Sequence, residues 1–368
     1  MIVGVPTEVK PDEYRVGMRP VGAEMLIREG HSVIIQAGAG QGSGFPDDQY
    51  DAVGAEIVPT ADDIWARADM IVKVKEPQPA EIPHIREDQT IFTYFHFAAD
   101  KALTIGCLES KCLAIAYETL TDDLGHLPLL TPMSEIAGKL SVQEGARSLE
   151  KHQGGRGVLL GGVPGVAPGR VLVLGGGVVG TCAATIAAGM GADVTIMDIN
   201  LDRLRELDEF MPSNVNTVYS DPHSIRKYLR RADLVVGAVL IAGAKAPNLI
   251  TRADLGIMQP GAVIVDVAID QGGCVETAHV TTHSNPTYEV DGVVHYCVGN
   301  MPGAVARTST QALTNATMPW VMKIAKYGAD ELAKMDHHFA NAINTNRGVL
   351  TNEPVAEAHD LSFEPLGV

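Results

Sequence analysis

The chain reads as an α/β protein built from two doubly wound domains with an interdomain cleft. Three observations predict this. Short apolar runs suited to buried strands alternate with helical patterns over residues 2–268. A glycine-rich strand-to-helix turn stands at 175–180, so a comparable length of α/β chain precedes it without such a turn. With 368 residues, two domains each able to bury a core are the natural division.

In chain order, 2–6 is a short apolar strand and 7–20 a polar loop holding Glu8, Lys10, Arg15 and Arg19. A helix over 20–29 and a strand over 32–36 follow. Then come a strand at 55–58, a helix opened by Thr60 with Asp63 three residues on, strands at 70–75 and 90–97, a helix from Asp100, and a strand at 113–117. Residues 128–150 turn into a long helix, and the glycine- and proline-rich stretch 154–169 is an ordered loop.

Beyond it the spacing predicts strands at 170–174, 193–198, 215–219, 234–239 and 262–268, with 296–298 as a further one. Helices are predicted over 201–210, 224–231 and 251–258. After Pro302 the pattern predicts helix only, over 308–327 and 331–343, with a loosely ordered tail. These helices are too few for a domain of their own, so they return to the first. The predicted domains are 1–129 with 307–368, and 130–306.

Residues 170–198 carry the clearest chemistry. A strand runs into Gly175-Gly176-Gly177-Val178-Val179-Gly180, a helix follows, and a second strand ends at Asp198. Gly175 serves the tight turn, Gly177 lets the backbone approach a pyrophosphate, and Gly180 lets helix and sheet pack closely. The helix N-terminus faces the phosphates. Asp198 is placed to accept hydrogen bonds from ribose hydroxyls and to repel a 2′-phosphate, which makes the cofactor NAD and not NADP. The 22 uncharged residues of 171–192 are long enough to span a membrane, but six are glycine and the run divides into strand, turn and helix.

The formal charge of −17 argues against a nucleic-acid partner. Five scattered cysteines without a C-x-x-C pair read as reduced residues, with neither a disulfide framework nor a metal site. No signal peptide is visible before the strand at Ile2, so the chain reads as cytoplasmic.

Ligands of doubly wound sheets lie beyond the carboxyl ends of the strands. Four ionisable residues stand there: Arg15, Lys75, His96 and Asp270. Lys73 and Lys75 alternate onto one strand face; they mark either a cleft, with Lys75 nearer to it, or a solvated edge strand. His96 is either functional or a satisfied core histidine. Asp270 is either functional or a cap on the turn Gln271-Gly272-Gly273. Together with a nicotinamide cofactor the four suit an amino-acid or a hydroxy-acid dehydrogenase, which the residues alone do not separate.

At these positions the sequence resembles the bacterial L-alanine dehydrogenases, which share ancestry with the NAD(H)-binding part of proton-translocating transhydrogenase. The resemblance is carried by G-V-P-T-E-V-K at 4–10, V-K-E-P at 74–77, Y-F-H-F-A-A at 94–99, P-M-S-E-I-A-G at 132–138, G-G-R-G-V-L-L-G-G-V-P-G-V at 154–166, D-Q-G-G-C-V-E at 270–276 and N-M-P-G-A-V at 300–305. It implies reversible conversion of L-alanine, NAD⁺ and water to pyruvate, ammonium and NADH. Arg15 and Lys75 would bind the substrate carboxylate and carbonyl oxygen, His96 would be the acid/base, and Asp270 would assist with ammonia or water. The cofactor contacts it implies are Ser134, Val178, Val179, Asp198, Arg203, Ser220, Val239, Leu240, Val267, Asp270, Val298, Asn300 and Met301. It also implies a homohexamer. At position 279, where many relatives carry arginine, this chain has His279. The alternatives are another amino-acid dehydrogenase of lysine or opine type, and a non-catalytic NAD(H)-binding subunit like that of transhydrogenase.

Overall fold

The structure is a computed structural model that describes residues 1–239 and 246–367. The chain divides into two compact units, Met1–Met133 with Gly303–Val368, and Ser134–Pro302. Its strands are β1 (Ile2–Val5), β2 (Ser32–Gln36), β3 (Glu56–Val58), β4 (Met70–Val72), β5 (Thr90–Thr93), β6 (Leu113–Ala116), β7 (Arg170–Leu174), β8 (Asp193–Asp198), β9 (Val215–Tyr219), β10 (Leu234–Gly237), β11 (Val263–Asp266), β12 (Thr287–Val290), β13 (Val293–Tyr296), β14 (Ile343–Asn346) and β15 (Val349–Leu350).

The first unit holds a sheet in the order β15-β14-β6-β5-β4-β1-β2-β3. It is parallel from β6 to β3, and β14 pairs antiparallel with both β6 and β15. The second unit's sheet runs β12-β13-β11-β10-β7-β8-β9, with only β12 antiparallel. In each unit the chain winds outward in both directions from its first strand. The order therefore reverses between β1 and β4 in one sheet and between β7 and β10 in the other. These are the switch points where a doubly wound sheet opens a crevice at its carboxyl edge.

Burial follows from this topology. Every residue of β4, β5, β6, β10 and β11 is buried, because helices cover both faces of a parallel sheet. The edge strands β3, β9 and β12 keep partly exposed polar residues. Helix ends are set locally: Thr60 and Asp63 form a reciprocal capping box that opens the helix Ala61–Arg67. Among the described residues, no helix is long and apolar enough to cross a membrane.

Two expectations are corrected. The chain after Pro302 is not helix only. The helices Ala306–Tyr327 and Ala329–Met335 are followed by the hairpin β14–β15, which joins the first unit's sheet, and by the helix Glu353–His359. Its turn, Arg347-Gly348, has φ of 49° and 89°, the two left-handed residues that a twisted two-residue hairpin needs. Polar residues hide the strand in the sequence: Asn344 is buried, with its amide donating to the Thr119 hydroxyl at 2.8 Å. The strand expected at 296–298 ends instead at Tyr296 and belongs to the hairpin β12–β13, turned at Asp291-Gly292 with φ of 49° and 81°. That Asp-Gly pair is the sequence signal for the missing strand.

Candidate active site

In the second unit, the glycine turn follows β7 directly. Gly175 has φ of 104°, and a Cβ there would stand 2.6 Å from the Ala238 carbonyl oxygen, beside Val239 at the end of β10. A Cβ at Gly180 would stand 1.8 Å from the Gly175 carbonyl oxygen, so the helix Val178–Gly189 lies against the turn only because that residue is glycine. At Gly177, by contrast, no described residue other than its chain neighbours comes within 4 Å of an added Cβ. Among the described residues, the space over the turn is open to a phosphate.

The helices at Leu201–Phe210 and Pro222–Leu229 are capped by the side chains of Asn200 and Asp221, whereas Val178–Gly189 has no side-chain cap. Among the described residues no side chain caps its first N–H groups, which can therefore serve an anion. Asp198, ending β8, accepts from the N–H of Gly176 at 2.7 Å and of Asn200 at 2.8 Å. The carboxylate is thereby oriented and keeps lone pairs for ribose hydroxyls. Arg203 closes the turn from the other side, donating to the Gly176 carbonyl and the Thr181 hydroxyl, both at 2.8 Å. Ser220 extends the ladder by donating its N–H to the Asp198 carbonyl at 2.9 Å. These residues fit a dinucleotide.

The expected contacts Val267 and Asp270 lie in the short 3₁₀ helix Val267–Gln271 after β11. Val298, Asn300 and Met301 follow β13 at the same carboxyl edge, and Ser134 lies on the helix Thr131–Ser148. Leu240 lies outside the described residues. Asp270 does not cap the turn at 271–273. Buried Asp266 accepts from the N–H of Ala268 and of Cys274, at the two ends of that loop, while exposed Asp270 accepts from the N–H of Asn300 at 3.3 Å. Asn300 is a non-glycine residue held at φ of 56°.

His279 stacks on Tyr288, with ring centroids 3.7 Å apart, and Tyr288 in turn stacks on buried His295. The neutral His295 ring donates from Nδ1 to the Val293 carbonyl at 3.0 Å and accepts at Nε2 from the Thr277 hydroxyl at 2.8 Å. Burial holds its pKa below the ordinary 6.5, against the pull of the Val293 carbonyl and with a small push from His279. The unfolded chain therefore takes up this proton first as the pH falls. Its contribution to stability is complete above pH 6.5 and is lost progressively below it. The urea midpoint is expected to drop across that boundary, with a shallower slope in His295→Gln; identical slopes would refute the assignment.

In the first unit, Arg15 and Lys75 follow the adjacent strands β1 and β4 at the switch point. Strand β4 has neighbours on both sides, which rules out the solvated-edge reading of its lysines. Strand β4 ends at Val72. Lys73 is fully buried, with Nζ 3.2 Å from Glu8 and 2.9 Å from Glu81. Burial works to lower its pKa, but the two carboxylates outweigh this and keep it charged. Lys75 is half-buried, and its carbonyl accepts from the Thr93 hydroxyl at 2.9 Å. The buried Arg15 guanidinium is held by both oxygens of Glu13, at 2.7 and 2.5 Å, and Nη1 lies 3.1 Å from the Met133 sulfur.

His96 is exposed, so it is not a core histidine. It stands three residues past β5 with φ of 53°, a left-handed conformation that costs a non-glycine residue about 1–2 kcal/mol. The Glu118 carboxylate holds the turn by accepting the N–H groups of Phe95 and His96. The imidazole lies parallel to the Tyr94 ring, with centroids 5.9 Å apart, and the Tyr94 hydroxyl donates to the Leu129 carbonyl at 2.6 Å. An exposed imidazole presented on a stiff, strained turn is an arrangement that proton transfer can use.

Sequence reasoning passed over Glu13, Glu118 and Gly138. The first two were indistinguishable from ordinary acidic loop residues. Gly138 brings its helix so close to the Val179 carbonyl that a Cβ would stand 2.3 Å away. A glycine inside a long helical pattern was its signal.

By class, the chain is a dinucleotide-binding oxidoreductase, its second unit of Rossmann type. Residues 4–137 match the N-terminal domain of the alanine dehydrogenase/PNT family, and residues 141–353 match the C-terminal domain. The chain belongs to the alanine dehydrogenase/PNT family. It is 54% identical to an alanine dehydrogenase from Halomonas elongata over 99% of this chain and 98% of that protein. It is 50% identical to one from Mycobacterium tuberculosis over the full length of both. A solved L-alanine dehydrogenase structure superposes with a TM-score of 0.94 at 52% identity, covering 98% of this chain and 99% of that one. A transhydrogenase from Sinorhizobium meliloti, at 24% identity and a TM-score of 0.84 over 95% of this chain, shares the fold.

Proposed function

We propose that the chain is an NAD-dependent L-alanine dehydrogenase, interconverting L-alanine and water with pyruvate and ammonium. The observation that carries this reading is identity of 50–54% to alanine dehydrogenases over essentially the whole chain. It favours alanine over the lysine- or opine-type alternative and over a non-catalytic subunit.

NAD, when bound, would supply the acceptor for the hydride that leaves the alanine Cα. Gly175 to Gly180 and the helix behind them would hold its pyrophosphate, and Asp198 its ribose. Ser134, Arg203, Ser220, Val239, Val267, Val298, Asn300 and Met301 complete that side. Arg15, rigid in the Glu13 fork, holds the substrate carboxylate, and Lys75 stabilises charge on the substrate oxygen. His96 takes the proton of the water that attacks the iminium carbon and returns it as ammonia departs. Asp270 orients ammonia or water. Residues 1–129 with 307–368 serve the substrate and 130–306 serve the cofactor.

We further assign a homohexamer in the cytoplasm; the five free thiols support a reducing compartment. NADH oxidation that requires pyruvate and ammonium together supports the reading. Oxidation with pyruvate alone would point to a hydroxy-acid dehydrogenase and overturn it.

A further inference from the structure

Among the charged groups of the first unit, one cluster has no role in the reaction just described. Lys73 is fully buried between Glu8 and Glu81, both themselves nearly buried. A buried ion pair of this kind is at best neutral for stability against apolar residues of the same volume. Its geometry is more informative. Strand β1 pairs with β4 only as far as Gly4 and Ile71, so the N–H groups beyond have no strand partner on that side. The Glu8 carboxylate takes the place of the missing strand. Its Oε1 accepts the Val74 N–H at 2.6 Å, and its Oε2 lies 3.2 Å from Lys73 Nζ and 3.4 Å from the Lys75 backbone nitrogen. One side chain thus grips three consecutive residues, the last being Lys75.

The other contacts make the grip rigid. Glu81 fixes Lys73 from behind and accepts the Gln78 N–H at 2.8 Å. The Tyr117 hydroxyl donates to the Lys73 carbonyl at 3.0 Å. Glu8 belongs to the same loop as Arg15, and that loop is pressed onto the end of β4: a Cβ at Gly17 would stand 2.6 Å from the Val72 carbonyl oxygen. We infer that Glu8 is a positioning residue for substrate: with Lys73 it fixes Lys75 at a set distance from Arg15, so that one α-keto or α-amino acid can meet both cations. The inference rests on the substrate roles proposed for Arg15 and Lys75.

A double-mutant cycle in reductive amination tests it. Lys75→Ala alone tests the underlying reading; if kcat/KM for pyruvate is unchanged there, the reading fails and the inference with it. Glu8→Gln, which keeps the volume and one acceptor oxygen, is expected to raise the pyruvate KM about ten-fold, the scale of a lost charge-assisted hydrogen bond, with NADH affinity unchanged. In the Lys75→Ala background the same change is expected to lower kcat/KM by less than about two-fold, the range of uncoupled sites. An equal loss in both backgrounds would show a general structural role and overturn the inference, as would an unchanged pyruvate KM. If Glu8→Gln does not fold, Glu81→Gln releases Lys73 from its other carboxylate and is expected to raise the pyruvate KM roughly three-fold, an effect absent beside Lys75→Ala. No rise there would equally overturn it.

Discussion

His96→Ala is expected to lower turnover of L-alanine by roughly two orders of magnitude or more, the usual scale for a lost acid/base group, while NADH binds as before. The two halves of this result come from different parts of the molecule. Every contact assigned to the dinucleotide lies in the second unit, whereas His96 lies in the first, on the turn that Glu118 holds. Asp270→Ala is expected to reduce turnover on the same scale. Because Asp270 accepts the Asn300 N–H, that variant is also expected to loosen NADH modestly. Steady-state rates with NADH fluorescence titration measure both. Near-normal turnover in either variant would remove that residue from the chemistry.

The second large effect falls on the cofactor. Gly180→Ala places a methyl group 1.8 Å from the Gly175 carbonyl oxygen, far inside van der Waals contact, and the obstacle is backbone. The helix Val178–Gly189 must withdraw, taking its N–H groups away from the phosphates. Overpacking of this kind costs about 1–3 kcal/mol, and the expected result is a lower melting temperature together with NADH affinity reduced at least roughly ten-fold. Gly189→Ala in the same helix meets no described residue outside its own helical turn within 4 Å and is expected to stabilise the protein by up to about 1 kcal/mol, with unchanged NADH binding. Equal behaviour of the two variants would contradict the close-packing account.

The parallel strands and the glycine turn were legible because their signals are local. A run such as Val-Leu-Val-Leu before three glycines states its strand, its burial and its turn within ten residues. The hairpin β14–β15 was not legible as a strand pair, since Asn344 and Thr345 are polar yet buried, satisfied by partners more than two hundred residues away. The site divides in the same manner. Lys73 and Lys75 look equivalent in sequence, and only the carboxylates of Glu8 and Glu81, contributed by separate loops, make one an internal ion pair and leave the other half-buried. For the turn at 271–273 the sequence pointed to Asp270 alone, whereas Asp266, at the end of β11, is the carboxylate that closes the loop. Burial of Asp266 and exposure of Asp270 decide between them. What stayed hidden is therefore long-range pairing of polar groups, which leaves no periodicity.

The central claim joins a substrate to a cofactor, and one measurement addresses both: the initial rate of NADH formation, followed by its absorbance, across a panel of L-amino acids at alkaline pH, with NADP⁺ in parallel. The account predicts that L-alanine gives the highest kcat/KM of the panel and that NADP⁺ supports little turnover, because the Asp198 carboxylate repels a 2′-phosphate. A higher kcat/KM for a long or charged amino acid such as L-lysine, or equal use of NADP⁺, would contradict it.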